Sequence, residues 1–283
     1  DDENFGMKIN SINGTYSFVG ANGNEYPEMP IENDANKTFS MPANEMLDAI
    51  NKTIFCTADD ELRPVMNGIF FDLKEDGISL VATDAHRLVR YRNINIKTEN
   101  PISFILPKKP ATLLKSVLGK ESDDVTVSFG EKNATFTFGN TRIVCRQIEG
   151  RFPNYNAVIP QNNQNIVVVD RQTIINACKR VAIFANTGTS LLKLALSQDT
   201  LSISAQDIDF STNAEETLVC SYSGAPMAIG FKAPFLIEIL NSITSSDVMF
   251  KLADPGRAGL ILPTEDEPNQ ELLMLLMPML LND

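Results

Sequence analysis

The chain has one histidine, His86, and four cysteines, Cys56, Cys145, Cys178 and Cys220, with no Cys-x-x-Cys pair among them. A lone histidine excludes a HExxH metal site or a histidine relay. Cysteines this far apart fit neither a zinc site nor a dense disulfide framework, so a reducing cytoplasm is the simpler home. The phosphate-cradling GxxxxGK[ST] loop, the GxGxxG fingerprint and the GxSxG elbow are also missing. No acid-base or metal constellation remains, so we expect no cofactor and no catalysis. The carboxylate runs Asp59 to Glu61 and Glu265 to Glu267 lie in turn-like, proline-flanked stretches. They read as solvated loops, because a Mg²⁺ or Ca²⁺ site needs several oxygens at defined spacing.

Long apolar runs are lacking too. The longest, Leu272 to Leu281 with Pro278 inside it, is about half of what a bilayer span requires. No signal-peptide pattern opens the chain, and Asp1-Asp2-Glu3 is not a natural start, so we expect a piece of a longer protein. Positive charge is scarce: the formal net charge is −12 over 283 residues. Bulk charge therefore repels phosphate, and any nucleic-acid contact needs a segregated basic stripe. Four Asn-x-Ser/Thr triplets, at Asn13, Asn36, Asn51 and Asn133, carry no weight in an Asn-rich chain without secretion.

What is present is a repeat. Ile69 to Asp84 aligns with Leu192 to Asp207 at a constant offset of 123. In both segments apolar residues alternate on either side of a turn (Asp76-Gly77 or Asp199-Thr200), which is the pattern of a hairpin with one buried face. The same offset pairs Leu113-Leu114 with Leu236-Ile237 and Asp124-Val125 with Asp247-Val248. Upstream, Met46 to Ile50 pairs with Ile174 to Cys178 at an offset of 128, so the loop around Asp59 to Pro64 is five residues longer in the first copy. Each copy reads helix, hairpin, strands, helix, strands, with Pro110 opening the second helix and Gly119 closing it. Glu25-Tyr26-Pro27, after the strand Thr15 to Phe18, echoes Arg151-Phe152-Pro153. Residues 1–36 thus read as the closing strands of an incomplete copy, followed by complete copies at 37–162 and 163–283.

At 100° per residue, the apolar faces of the helices (Met46, Leu47, Ile50, Ile54; Leu113, Leu114, Val117, Leu118; Ile174, Ile175, Cys178, Val181) leave Lys52, Lys108, Lys115 and Arg180 pointing outward. The four helical segments together carry a net +5, so the rest of the chain carries −17. That segregation suits a helical lining that tolerates DNA through sequence-independent phosphate contacts. It equally suits surface helices that carry Lys and Arg for solubility. Glu238 occupies the outward side of the fourth helix.

Three segments stand apart from the repeat: Thr83-Asp-Ala-His-Arg-Leu88, Arg151-Phe-Pro-Asn-Tyr155 with Val158-Ile-Pro160, and Met277-Pro-Met-Leu-Leu281. In order and spacing the sequence resembles the beta subunit of bacterial DNA polymerase III, the DNA sliding clamp, whose members carry ATD-x-HRLA, RFP-x-Y-x-x-VIP and a terminal MPMRL. The resemblance implies an α+β fold of tandem clamp domains, each with antiparallel sheets outside and two helices on the inner face. It implies a closed head-to-tail homodimer around double-stranded DNA, to which replicative polymerase, clamp loader and repair proteins dock through short linear peptides. With its first copy incomplete, this piece is expected to be monomeric, with no membrane association.

The matching peptide wall is Met66, Thr83, His86, Arg87, Leu88, Pro153, Val158, Phe235, Leu275, Met277, Pro278 and Met279. Met, Leu, Pro and Phe make an adaptable apolar groove, with Thr83, His86 and Arg87 as its polar contacts. For DNA the resemblance transfers Lys108, Lys109 and Arg63; Lys52, Lys115 and Arg180 rest on helix geometry. Three positions depart from the family. Ala85 stands where glycine is usual, so the turn should avoid a conformation that favours glycine. Leu280, with Asn282 and Asp283 beyond it, replaces a usual arginine, and Ala157 a usual basic residue, which puts a charged contact there in doubt. An alternative from another class is a secreted β-rich adhesion or glycan-binding module, motivated by the acidic pI, the sequons and the repeat.

Overall fold

The computed structural model describes residues 4–26 and 37–281. It separates into two compact units, Asp1–Asn33 and Asp34–Asp283. Asp1, Asp2, Glu3, Pro27, Asn36, Asn282 and Asp283, named above, lie outside the described residues.

Among its described residues the first unit holds a hairpin of β1 (Gly6–Ser11) and β2 (Gly14–Val19), followed by a short 3-10 turn at Gly23–Glu25. Two strands cannot bury a side chain on both faces, and Met7, Ile9, Tyr16 and Phe18 are all exposed.

The second unit starts with β3 (Thr38–Pro42) and α1 (Ala43–Thr53), then β4 (Gly68–Lys74), β5 (Gly77–Thr83), β6 (Arg87–Asn93) and β7 (Ile102–Pro107). Helix α2 (Lys108–Leu118) follows, and then β8 (Asp124–Phe129), β9 (Asn133–Phe138) and β10 (Thr141–Arg146). The order then repeats: β11 (Asn165–Asp170), α3 (Arg171–Val181), β12 (Leu191–Ser197), β13 (Thr200–Asp207), β14 (Thr212–Val219), β15 (Met227–Lys232), α4 (Ala233–Ser242), β16 (Asp247–Leu252), β17 (Gly259–Pro263) and β18 (Gln270–Leu276). The two hairpins read from the sequence are β4–β5 and β12–β13. The fold is α+β, and every strand pair is antiparallel.

The sheets run β10-β9-β8-β3, β14-β13-β12-β15, and an eight-stranded β11-β16-β17-β18-β6-β5-β4-β7. The last of these is a four-stranded half from each copy, fused where β18 pairs with β6 from Gln270↔Asn93 to Leu276↔Arg87. In each copy the two helices pack on one another and on strands. Met46, Ala49 and Ile50 of α1, Ala111 and Leu114 of α2, Ile174 and Cys178 of α3, and Leu236 and Ile239 of α4 fill the main core.

Some local expectations need correction. Helix α2 begins at Lys108, so Pro110 sits within its first turn, and Leu113, assigned to the apolar face, is half exposed. Gly119 caps α2 in an ordinary right-handed conformation, φ −63°. The first hairpin buries both faces rather than one, and β5 is buried along its whole length. The cover is the segment after β10: Phe152 stacks on Phe70 at 4.6 Å and the Tyr155 hydroxyl donates to Asp72 Oδ2 at 2.7 Å. Burial pushes the Tyr155 hydroxyl's pKa up, and the Asp72 hydrogen bond adds to it. Phe152 and Tyr155 join Val81, Leu88, Ile105, Ile159, Leu260 and Leu275 in a second apolar cluster at the seam between the copies, with Phe70 packed against it.

Candidate functional site

The turn between β5 and β6 is tied by its own side chains. Thr83 Oγ1 donates to the Arg87 carbonyl at 2.7 Å and accepts from Ala85 N at 3.1 Å. Asp84 Oδ1 accepts from His86 N and Arg87 N, both at 3.0 Å. Closing a turn this tight forces Ala85 to φ +75°. The expectation that alanine keeps this turn out of the left-handed region is therefore wrong: the residue adopts it despite its Cβ.

Arg87 turns inward, because carboxylates and rings from three elements surround it. Its Nε donates to Asp84 Oδ2 at 2.9 Å, Nη1 to Glu238 Oε2 at 2.5 Å, and Nη2 to the Phe55 carbonyl at 3.0 Å. The guanidinium lies 4.3 Å from the Phe235 ring centroid and 5.3 Å from that of Phe55. Burial pushes its pKa down, but the Glu238 hydrogen bond and nearby negative charge outweigh this and hold it above its ordinary value.

His86 stays exposed, its ring 6.0 Å from Phe235. Its carbonyl accepts from Met277 N at 2.9 Å, and Met279 N donates to the Gly230 carbonyl at 2.8 Å, so the last residues are strapped across both copies. Met277 is 44% exposed, and Pro278 and Met279 are half-buried. Leu88 and Leu275 face each other in the β6–β18 register and are each 4% exposed. They are buried in the seam cluster with Phe152 and Tyr155, whereas Phe235 packs against the main core. Thr83 is likewise buried, with its hydroxyl engaged by the turn. Met66 ends the short 3-10 turn Pro64–Met66, Pro153 follows Phe152 in the seam cluster, and exposed Val158 caps the 3-10 turn Tyr155–Ala157. Ala157 and Leu280 are exposed, Leu280 at 86%.

The basic residues divide differently from the helical-wheel expectation. Lys52 is not outward: it is 7% exposed, paired with Asp48 at 2.7 Å and 5.6 Å from the Tyr91 ring. The loop carrying Glu265 to Glu267, from the other copy, lines the crevice over it, which a single helix cannot reveal. Arg63 pairs with Asp60 at 2.8 Å, Lys108 with Asp59 at 2.6 Å, and Arg180 with both oxygens of Glu216 at 2.7 Å. Lys109 and Lys115 are exposed and make no ion pair among the described residues.

Residues 40–154 match the central domain of the DNA polymerase III beta subunit, and residues 156–279 match its C-terminal domain. The chain belongs to the DNA polymerase III beta subunit family. Curated beta sliding clamps are similar to it at low identity: 28% over 257 residues for Pseudomonas aeruginosa, covering 90% of this chain and 69% of that one. For Treponema pallidum the figures are 29% over 262 residues, 90% and 68%. A crystal structure of the Pseudomonas aeruginosa DNA polymerase sliding clamp with ligand superimposes with TM-score 0.92 at 26% identity, covering 98% of this chain and 75% of that one. The same organism's clamp bound to griselimycin gives 0.91, again at 26% identity, over 98% and 74%. These beta-subunit relatives support the clamp reading, and the secreted adhesion alternative finds no support in them. Among the described residues no helix is long and apolar enough to cross a membrane.

Sequence reasoning missed the partners of Arg87. Glu238 was visible only as a charge spoiling a basic face, and Phe55 carried no signal at all. Tyr155 and Asp72 were also missed as a pair: the motif containing Tyr155 was legible, but its acceptor lies 83 residues away.

Proposed function

We propose that this chain is a non-catalytic, cytoplasmic processivity clamp that docks partner peptides at the seam between its two complete domains, taken as 37–162 and 163–283, with 1–36 closing a preceding one. The observation that carries the reading is the seam itself. His86 from one copy, Phe235 from the other and Met277 from the last strand's end come together there, and Leu88 and Leu275 pair in the adjoining strands. An exposed, partly apolar groove with a few fixed polar groups suits short linear peptides.

The β6–β18 pairing also suggests how copies add head to tail. The equivalent strands β14 and β10 each keep one free edge among the described residues. Hairpin β1–β2 has the same lengths as β9–β10, six residues, a two-residue turn and six residues. In the full-length homodimer, such edges would close a ring around double-stranded DNA, where enclosure replaces affinity and weak phosphate contacts allow sliding. Replicative polymerase, clamp loader and repair proteins would share the peptide groove.

The test is a fluorescence anisotropy titration of a labelled peptide carrying glutamine, leucine and phenylalanine, with griselimycin as competitor. Saturable binding at roughly micromolar strength, displaced by griselimycin and lost in Met277→Asp, is expected. No binding, or binding unchanged by that variant, overturns the groove.

A further inference from the structure

The outer face of β12 and β15 holds two cations without a carboxylate partner among the described residues. The register sets Leu191 opposite Lys232 and Lys193 opposite Gly230. Successive strand residues alternate faces, and Leu192, Leu194, Ile229 and Phe231 occupy the core face. Leu191, Lys193, Gly230 and Lys232 therefore share the other, with the two lysines diagonal neighbours about 7–8 Å apart at Cβ.

The end of the groove lies beside them. A Cβ on Gly230 would stand 2.8 Å from the Met279 carbonyl oxygen and 2.9 Å from Leu281 Cδ2, so the chain end occupies the space that a side chain would need. Lys232 Nζ lies 4.9 Å from the Phe235 ring centroid, and that ring also carries Arg87. Arg87 is shared by two carboxylates, Asp84 and Glu238; Lys232 and Lys193 make no ion pair among the described residues. Along this face the carboxylate next in register is Glu215, opposite Ser204, which is itself opposite Lys193. It is turned to the Ser202 hydroxyl.

We propose that Lys193 and Lys232 select partner peptides that carry a carboxylate beside their apolar anchors. The inference rests on the groove reading above and adds the chemistry of its occupant. A chain of net charge −12 repels acidic peptides in general, so a local pair of unpaired cations beside an apolar groove gives both orientation and discrimination.

The experiment is a pair of anisotropy titrations at low and high salt, using two labelled peptides that differ only in Glu or Gln next to a Leu-Phe anchor. The Glu peptide should bind roughly two- to fivefold more tightly at low salt, with the margin shrinking at high salt. In the Lys193→Glu, Lys232→Glu double variant the order should invert, and a Lys-bearing peptide should bind best. Equal binding of both peptides to the unaltered chain overturns this inference and leaves the groove intact, and so does an order that the double variant does not change. Failure of every peptide to bind, with no griselimycin competition, overturns the groove and this inference with it. Should the double variant not fold, the salt dependence of the Glu-to-Gln margin in the unaltered chain decides alone.

Discussion

Arg87 and Glu238, 151 residues apart in the chain, meet at a single hydrogen-bonded ion pair that joins the β5–β6 turn of one domain to helix α4 of the next. The arginine is 7% exposed in its side chain and the glutamate 52%, so the two ends of the pair differ in what they stand to lose.

Removing Arg87 leaves Asp84, itself mostly buried, without a cation. Arg87→Ala should therefore lower unfolding free energy by about 3 kcal/mol, whereas Glu238→Gln, whose carboxylate reaches water, should cost at most about 1 kcal/mol. Urea unfolding of the two variants checks this; equal losses would show that the buried side of the pair does not dominate.

Ala85 holds φ +75° in the same turn. A left-handed conformation costs a non-glycine residue about 1–2 kcal/mol, and glycine loses about 0.4–1 kcal/mol in extra chain entropy. Ala85→Gly should therefore raise stability by about 0.5–1 kcal/mol. A lower melting temperature would contradict the strain.

Buried and exposed residues of the seam should separate experimentally. Leu88→Asp buries a carboxylate against Leu275 and should cost several kcal/mol of stability, so lost peptide binding in that variant is not informative. Met277→Asp should abolish peptide binding while the melting temperature stays near that of the unaltered chain, because the side chain already meets solvent.

The DNA track should centre on α2. Each phosphate-contacting lysine neutralised reduces the slope of log K against log salt by about 0.9. Lys109→Ala and Lys115→Ala should each show that change in duplex binding, and Lys52→Ala should leave the slope unaltered. A slope change in the Lys52 variant would restore it to the track.

Acid should weaken the second complete copy through Glu216. The hydrogen bond from Arg180 holds this carboxylate below its usual range. A folded pKa below the unfolded one means a contribution fully present above the ordinary carboxylate pKa and lost as pH falls through the folded value. Glu216→Gln should therefore flatten the acid limb of stability and leave its slope near neutral pH unchanged. An acid limb identical to that of the unaltered chain would exclude the pair as a contributor.

Much of the architecture was legible because it depends on neighbours close in sequence. The alternation in Ile69 to Leu80 and in Leu192 to Ile203 specifies hairpins, since a strand with one buried face repeats every two residues. The offset of 123 between them specifies two copies of one fold. The three motifs that converge on the seam were legible as well, as short strings. What only the tertiary structure decided is how the copies meet. The β6–β18 pairing buries Leu88 against Leu275, turns Arg87 inward onto Glu238, and lays the Glu265 to Glu267 loop over Lys52. A helical wheel knows only the core of its own domain, so it assigns a lysine to solvent when a second domain covers it. Within one copy, Lys193 and Lys232 share a face only once register brings β12 beside β15. Local periodicity sets the elements, but the charge and exposure of a site at a domain seam depend on contacts between residues more than a hundred positions apart.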